Sequence, residues 1–278
     1  MTTSKPSSTT WSPERPPRRG LLDGIAVTVR VSGLALLRGR RGATLALLCL
    51  LPLIAPGLEL WREGAGYKGG VGFIAVLTNL CFPAINLIVA LFVGCGAIGE
   101  EIEGKTLPYL LTRPVPRSAL LLGRWLTAVV TSSLLLGAAY AVLYLATVGQ
   151  MGGEALWVDL PLLGTALAGM ALSMVAYSAV FVLLSVVIKW PLLVGLVLLF
   201  VWEPFAASMP GTMARYTLLH HVYTLLARLS GDERYTTLAR PYELELLPAA
   251  DSLQVLAWVG AIALALALLK FRRKAYLV

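Results

Sequence analysis

The sequence predicts an all-α membrane protein with six transmembrane helices, and three observations support this fold class. First, 58% of the 278 residues are hydrophobic and only 14% are charged, whereas soluble domains carry about 25% charged residues. Second, six apolar runs approach or exceed the ~20 residues that a helix needs to cross a bilayer. Third, the net charge of +8 comes from Lys and Arg beside these runs, which indicates membrane topology and not a nucleic-acid partner.

The N-terminal part of the chain precedes the first apolar run and divides into two segments. Residues 1–20 are rich in Ser, Thr, Pro and Arg, which predicts a disordered cytoplasmic tail because little apolar area is available for folding. In residues 21–40, Leu22, Ile25 and Val29 share one helical face. We expect an interfacial helix on the inner leaflet there, with a plain juxtamembrane linker as the alternative.

The six predicted spans follow in order along the chain. They are residues 43–61, 71–99, 119–149, 160–188, 191–209 and 253–269. The second span would be ~43 Å long as a helix, so it must tilt or project beyond a hydrocarbon core of ~30 Å, and Pro83 can kink it. Only Lys189 and Trp190 separate the fourth and fifth spans, which predicts a tight turn.

The distribution of basic residues predicts the orientation of these spans. With the N-terminus inside, 17 of the 23 Lys and Arg residues lie in inner segments and 6 lie in outer segments. Cytoplasmic loops of membrane proteins carry an excess of Lys and Arg. We therefore expect both termini to be cytoplasmic.

Residues 210–251 form the longest loop between predicted spans, on the predicted outer side. Apolar and aromatic residues recur there at helical spacing: Met213, Tyr216, Leu219, Val222, Tyr223, Leu226 and Leu229. This pattern predicts an amphipathic helix that either rests on the outer leaflet or caps the pore.

The predicted spans contain few side chains that carry chemistry. No Asp, Glu, Lys, Arg or His occupies the centre of a predicted span, and Lys189, Glu203 and Arg124 lie near span ends. Ion-coupled transporters usually keep an ionisable group near the midplane, so this pattern indicates an energy source outside the membrane. Asn79 and Asn86 lie two turns apart on the second span, where they either line a pathway or form interhelical hydrogen bonds.

The histidines and cysteines do not form a predicted metal or catalytic site. His220 and His221 are adjacent and project from different helix faces, so we expect a surface or interfacial placement. The three cysteines, Cys49, Cys81 and Cys95, lie in apolar runs without a C-x-x-C pair, and we interpret them as packing residues.

Residues 99–117, GEEIEGKTLPYLLTRPVPR, connect the second and third predicted spans. Gly99–Thr106 matches the phosphate-binding pattern G-x-x-x-x-G-K-T. We exclude that function because the segment follows a membrane span and not a buried strand. In addition, Glu100, Glu101 and Glu103 would repel phosphate groups. The chain itself is therefore not expected to bind ATP.

The same segment carries a second pattern, in which glutamates precede a Thr-Leu pair, a Leu-Leu pair, an Arg-Pro pair and a final Arg. The residues are Glu100, Glu101, Glu103, Thr106, Leu107, Leu110, Leu111, Arg113, Pro114 and Arg117. This pattern resembles the cytoplasmic coupling segment of bacterial ABC transporter permeases of the type-2 exporter class. A short coupling helix after Thr106 would end at the prolines. Such an amphipathic helix can occupy a groove on a soluble partner.

The resemblance implies a permease subunit of an ATP-driven exporter in the bacterial inner membrane. It implies that these ten residues couple the permease to a separate ATP-binding subunit, and that this partner binds ATP and Mg²⁺. It also implies a second permease copy or a paralogue beside the first. No cofactor and no catalytic residue of the chain's own is expected.

Two other functions remain as alternatives. The first is an intramembrane enzyme of the CAAX-protease type, because Glu100 and Glu101 form a glutamate pair with histidines downstream. Those enzymes need an Arg four residues after the pair, where this chain has Lys105, and they need His within spans. The second alternative is a non-transporting scaffold of an envelope complex. The sequence does not identify a transported substrate.

Overall fold

A computed structural model of the protein describes residues 40–54, 69–97, 117–208, 215–231, 235 and 247–273, with residues 23, 25, 26, 28 and 29. Every regular element in these residues is a helix. We number eight helices in the described part of the chain. They are α1 (Arg40–Leu50), α2 (Gly69–Gly96), α3 (Arg117–Thr147), α4 (Gly153–Val158), α5 (Leu160–Val187), α6 (Pro191–Val197, Leu198–Trp202 and Glu203–Ser208), α7 (Leu218–Ser230) and α8 (Ala249–Arg273).

Four of the six predicted spans are confirmed as apolar helices long enough to cross a membrane. These helices are Gly69–Gly96, Ser118–Met151, Leu160–Val187 and Ala249–Arg273, and each has 25 to 34 residues. The first and fifth predicted spans correspond to shorter apolar helices, Gly42–Leu53 and Pro191–Trp202. The count of six spans therefore stays a prediction, since part of the first span lies outside the described residues.

The predicted tight turn between the fourth and fifth spans is present. Helix α5 ends at Val187, and α6 begins at Pro191. Ile188 is extended, and Trp190, the residue before the proline, also leaves the helical region. A proline disfavours helical geometry in the residue that precedes it, so Pro191 both ends the turn and starts α6.

Helix α2 passes Pro83 by widening instead of breaking. Residues Leu77–Asn86 form a π-helical stretch with Pro83 inside it. A proline in an α-helix lacks an N–H donor, and its ring collides with the carbonyl one turn earlier. The wider turn of a π-helix, which is common at functional positions, gives the ring room while α2 continues to Gly96.

Helix α5 lies at the centre of the bundle and packs against α2, α3, α7 and α8. Its crossing with α2 depends on a glycine. A Cβ added at Gly94 would lie 2.7 Å from the Phe181 Cβ and 3.0 Å from the Ser178 carbonyl oxygen. Small residues let membrane helices approach closely. The α2–α5 contact therefore requires a residue without a side chain at position 94.

Helix α7 lies within the predicted outer loop, but its surroundings differ from those of a helix on a leaflet. All nine residues from 219 to 227 are buried, which includes both helix faces. A Cβ added at Gly169 of α5 would lie 2.7 Å from the Leu226 side chain, so α7 packs closely on α5. The expectation that α7 rests on the outer leaflet is wrong because the bundle surrounds it. Gly231, in a left-handed conformation, ends the helix.

Candidate functional site

The predicted coupling segment lies mostly outside the described residues. Glu100, Glu101, Glu103, Thr106, Leu107, Leu110, Leu111, Arg113 and Pro114 belong to residues 98–116, whose structure is not described. Arg117 is the first residue of α3. The coupling roles of these residues therefore stay predictions, and the structure shows how the two ends of the segment join the bundle.

Arg124 connects these two ends. Its side chain, on the second turn of α3, donates a hydrogen bond from Nη1 to the carbonyl oxygen of Ala97, at 3.3 Å. Ala97 is the C-cap of α2. The last carbonyl groups of a helix lack partners within the helix, and a cation is favourable at this end of the helix dipole. Arg124 therefore binds the end of α2 to the beginning of α3.

An apolar cluster surrounds this link. Its buried members come from four helices and are Ala97, Leu120, Leu121, Val182, Val186, Ala267 and Phe271. They lie at the end of α2, the start of α3 and the ends of α5 and α8. We call this end of the molecule the segment-side end of the bundle. Both helices that flank the undescribed segment therefore contribute residues to one apolar cluster.

The residues described before residue 30 also lie at the segment-side end. They are helical, and a Cβ added at Gly123 would lie 2.7 Å from the Thr28 Cβ and 3.3 Å from the Ile25 carbonyl oxygen. This N-terminal helix thus packs directly on α3, next to Arg124. Its location at a lipid leaflet stays a prediction.

Asn86 joins three helices through buried hydrogen bonds. The Tyr140 hydroxyl of α3 donates to Asn86 Oδ1 at 3.0 Å, and Asn86 Nδ2 donates to Ser173 Oγ of α5 at 3.1 Å. Asn79, by contrast, is exposed and donates to the Ala75 carbonyl of its own helix. Asn86 therefore occupies the setting of an interhelical hydrogen-bonding residue, one of its two predicted roles.

Glu203 is a buried acidic side chain that the sequence analysis placed near a span end. It is 3% exposed, and its Oε1 accepts a hydrogen bond from the Tyr177 hydroxyl of α5 at 2.8 Å. Glu203 lies twelve residues after Pro191 and six residues before the end of the fifth predicted span. The structure therefore buries an ionisable side chain within that predicted span.

The histidines of α7 are buried, so a surface placement is wrong, and their placement at the membrane interface stays a prediction. His220 is 4% exposed and His221 is 5% exposed. The His221 ring contacts Ser252 Oγ of α8 at 3.3 Å and the Arg215 carbonyl oxygen at 3.0 Å. Burial lowers the pKa of His221, and the Arg215 carbonyl partly offsets this effect. The contact with Ser252 ties α7 to α8. Within the described residues, no three His, Cys, Asp or Glu side chains are grouped as metal ligands.

Comparison with known proteins identifies the family. A family model described as "ABC-2 family transporter protein" matches residues 22–275. The chain belongs to this family. No curated protein matches the chain. The resemblance recognised in residues 99–117 is thus confirmed, and the protein is a multi-pass membrane permease of an ABC transporter.

Sequence reasoning about the permease missed Glu203. Its hydrogen-bond partner lies on another helix, since Tyr177 is 26 residues away in the sequence. Glu203 precedes Pro204 and lies six residues before the end of a predicted span. A carboxylate and a proline in this position indicate the end of a membrane span. The available signal was Tyr177 in a largely apolar span, because a buried tyrosine hydroxyl usually has a hydrogen-bond partner.

Proposed function

We propose that the permease is the membrane-spanning subunit of an ATP-driven exporter in the bacterial inner membrane. It forms the substrate pathway and transmits movement from a separate ATP-binding subunit through residues 99–117. ATP and Mg²⁺ bind to that partner, and a second copy of the permease or a paralogue completes the pathway. Membership of the ABC-2 family is the observation that carries this proposal.

The geometry of the segment-side end supports a mechanical role for the segment. If both ends of the segment are held rigidly, a movement of the segment also moves α2 and α3. A loosely held loop would change its own conformation instead. Arg124 binds the end of α2 to α3, and the apolar cluster joins both to α5 and α8. A push on the segment would therefore reach four helices of the bundle.

The proposed orientation has support from the same end of the molecule. The segment-side end holds the end of α2, the start of α3, and the ends of α5 and α8. These are the positions that the basic residues assign to the cytoplasm. Lys270, Arg272 and Arg273 lie in the last turn of α8, as the excess of Lys and Arg on the inner side requires.

Alanine substitutions in the segment test the proposal. Glu101→Ala, Leu110→Ala, Arg113→Ala and Arg117→Ala should each weaken co-purification of the ATP-binding subunit or uncouple ATP hydrolysis from transport. For Glu101, Arg113 and Arg117, the reason is that loss of one charged partner at a desolvated contact costs about 2–5 kcal/mol of binding. Leu110→Ala instead removes apolar area from the contact. Membrane insertion should be unchanged because Arg117 precedes the apolar helix Ser118–Met151 and the other three residues lie between spans.

Three control variants make this experiment specific. Glu154→Ala and Arg272→Ala remove exposed charges outside the segment and should leave association normal. Lys105→Ala should leave the ATPase activity of the complex within a few-fold of normal, because the Gly99–Thr106 pattern is not a nucleotide site in our proposal. If all four segment variants associate and transport normally, the segment is a passive connection. Tight ATP binding by the purified permease, abolished by Lys105→Ala, would show that the permease itself binds ATP and would contradict the proposal.

A further inference from the structure

Pro83 leaves one backbone carbonyl group of α2 without its helical donor. In a π-helix, the carbonyl oxygen of each residue accepts a hydrogen bond from the N–H five residues later. Within the π-helical stretch Leu77–Asn86, the donor for the Thr78 carbonyl would be residue 83, and proline has no N–H. Thr78 is 2% exposed, and a buried carbonyl group without a donor costs free energy. Another part of the bundle must therefore supply the donor.

The Tyr223 hydroxyl of α7 supplies this donor. It donates a hydrogen bond to the Thr78 carbonyl oxygen at 2.5 Å, although the two residues are 145 positions apart in the sequence. Tyr223 is itself 2% exposed. Its ring meets the ring of Phe82, the residue before Pro83, edge-on, with ring centroids 6.3 Å apart. The hydroxyl therefore reaches the acceptor that the missing N–H would have served.

A second tyrosine binds the other end of the π-helical stretch and offers a natural comparison. The Tyr140 hydroxyl of α3 donates to Asn86 Oδ1 at 3.0 Å. Its ring also meets Phe82 edge-on, with ring centroids 6.1 Å apart. The acceptor of Tyr140 is a side chain, whereas the acceptor of Tyr223 is the backbone. Only the Tyr223 hydrogen bond therefore depends on the N–H that Pro83 lacks.

We propose that Tyr223 is a positioning residue that replaces the N–H missing at Pro83 and so fixes α7 to the π-helical stretch of α2. We also infer that α7 follows this stretch when α2 bends. Helices kink at prolines and at π-helical turns, and α2 ends at Gly96, beside the proposed coupling segment. The second part rests on the proposed function, whereas the replacement itself does not.

A double-mutant cycle between Pro83 and Tyr223 tests the replacement. Thermal unfolding is measured for the full permease in lipid nanodiscs. Tyr223→Phe removes only the hydroxyl and should lower the unfolding temperature by about 2–4 °C, the shift expected for one hydrogen bond in a chain of this length. Pro83→Ala restores a backbone N–H, so α2 can satisfy the Thr78 carbonyl by itself. In that background, Tyr223→Phe should lower the unfolding temperature by less than half as much.

Tyr140→Phe is the matched control, because it removes a buried hydroxyl beside the same Phe82 ring. Its effect on the unfolding temperature should be equal in the parent and in Pro83→Ala, since a new backbone N–H does not replace a donor to the Asn86 side chain. An equal effect of Tyr223→Phe in the two backgrounds would overturn the replacement. A reduced effect of both tyrosine variants in Pro83→Ala would also overturn it, because the whole cluster around Phe82 would then have changed.

A single carbonyl resonance decides the same question if Pro83→Ala does not fold. Thr78 and Asn79 form the only Thr-Asn pair in the sequence, so ¹³C-carbonyl threonine combined with ¹⁵N asparagine selects one peptide group in solid-state NMR. The Thr78 carbonyl carbon should move upfield in Tyr223→Phe, because loss of a hydrogen bond reduces its deshielding. It should stay in place in Tyr140→Phe. An unmoved resonance in Tyr223→Phe would overturn the proposal.

The movement of α7 with α2 is tested in the complex with the ATP-binding subunit. Thr224 is 0% exposed and the three natural cysteines are buried, so a soluble maleimide reports the exposure of Thr224→Cys against a low background. ATP should change this labelling rate several-fold, and the change should be absent when Tyr223→Phe is added. No ATP-dependent change, or the same change with Tyr223→Phe, would overturn the coupled movement. If the ATP-binding subunit does not co-purify, the proposed function and the coupled movement fail together, and the double-mutant cycle still decides the replacement.

Discussion

At the scale of single residues, Gly123 and Gly137 on α3 differ in the space beside them. A Cβ at Gly123 would overlap the Thr28 Cβ at 2.7 Å, whereas a Cβ at Gly137 would meet the Leu167 and Met170 side chains at 3.5 and 3.6 Å. We predict that Gly123→Ala lowers the thermal unfolding temperature and increases trypsin cleavage before residue 40, because overpacking costs about 1–3 kcal/mol. Gly137→Ala should resemble the parent in both measurements. Equal behaviour of the two variants would show that the N-terminal helix does not need this contact.

At the scale of one element, α7 distinguishes a helix inside the bundle from one on a leaflet. Val222 and Leu229 belong to the same predicted apolar stripe, yet Val222 is 0% exposed and Leu229 is 51% exposed. We predict that Val222→Asn destabilises the permease by about 1–3 kcal/mol, since a buried amide without partners carries that cost. Leu229→Asn should be close to neutral. Thermal unfolding in detergent measures the stability of both variants. A similar loss of stability in the two variants would indicate that α7 lies on the leaflet and not inside the bundle.

At the scale of the whole molecule, the orientation of the spans is open to direct measurement. We predict that reporter fusions at Gly66, Gly153 and Asp232 report the outside of the membrane. Fusions at Arg113 and Lys274 should report the inside, because the basic residues lie at that end. An odd number of crossings, or an outside signal at Lys274, would reject the six-span topology with both termini in the cytoplasm.

Composition and local pattern determined the class, the family and four spans. Apolar runs of sufficient length specify membrane helices because the bilayer offers no hydrogen-bond partners to other backbone conformations. A short charged pattern in residues 99–117 indicated the ABC-2 family, since it lies within one continuous stretch of chain. The turn at Lys189 and Trp190 was also readable from the sequence, because Pro191 constrains its neighbour locally.

Tertiary structure decided the placement of polar groups whose partners are distant in sequence. Asn86 was readable as a hydrogen-bonding residue, but Tyr140 and Ser173, its partners, are 54 and 87 residues away. Glu203 was placed near a span end, yet it is buried and its carboxyl group accepts a hydrogen bond from Tyr177 of α5. Helix α7 was recognised from its spacing, but its depth was not. Amphipathic spacing gives the direction of an apolar face, whereas the surface against which that face packs depends on the arrangement of the other helices.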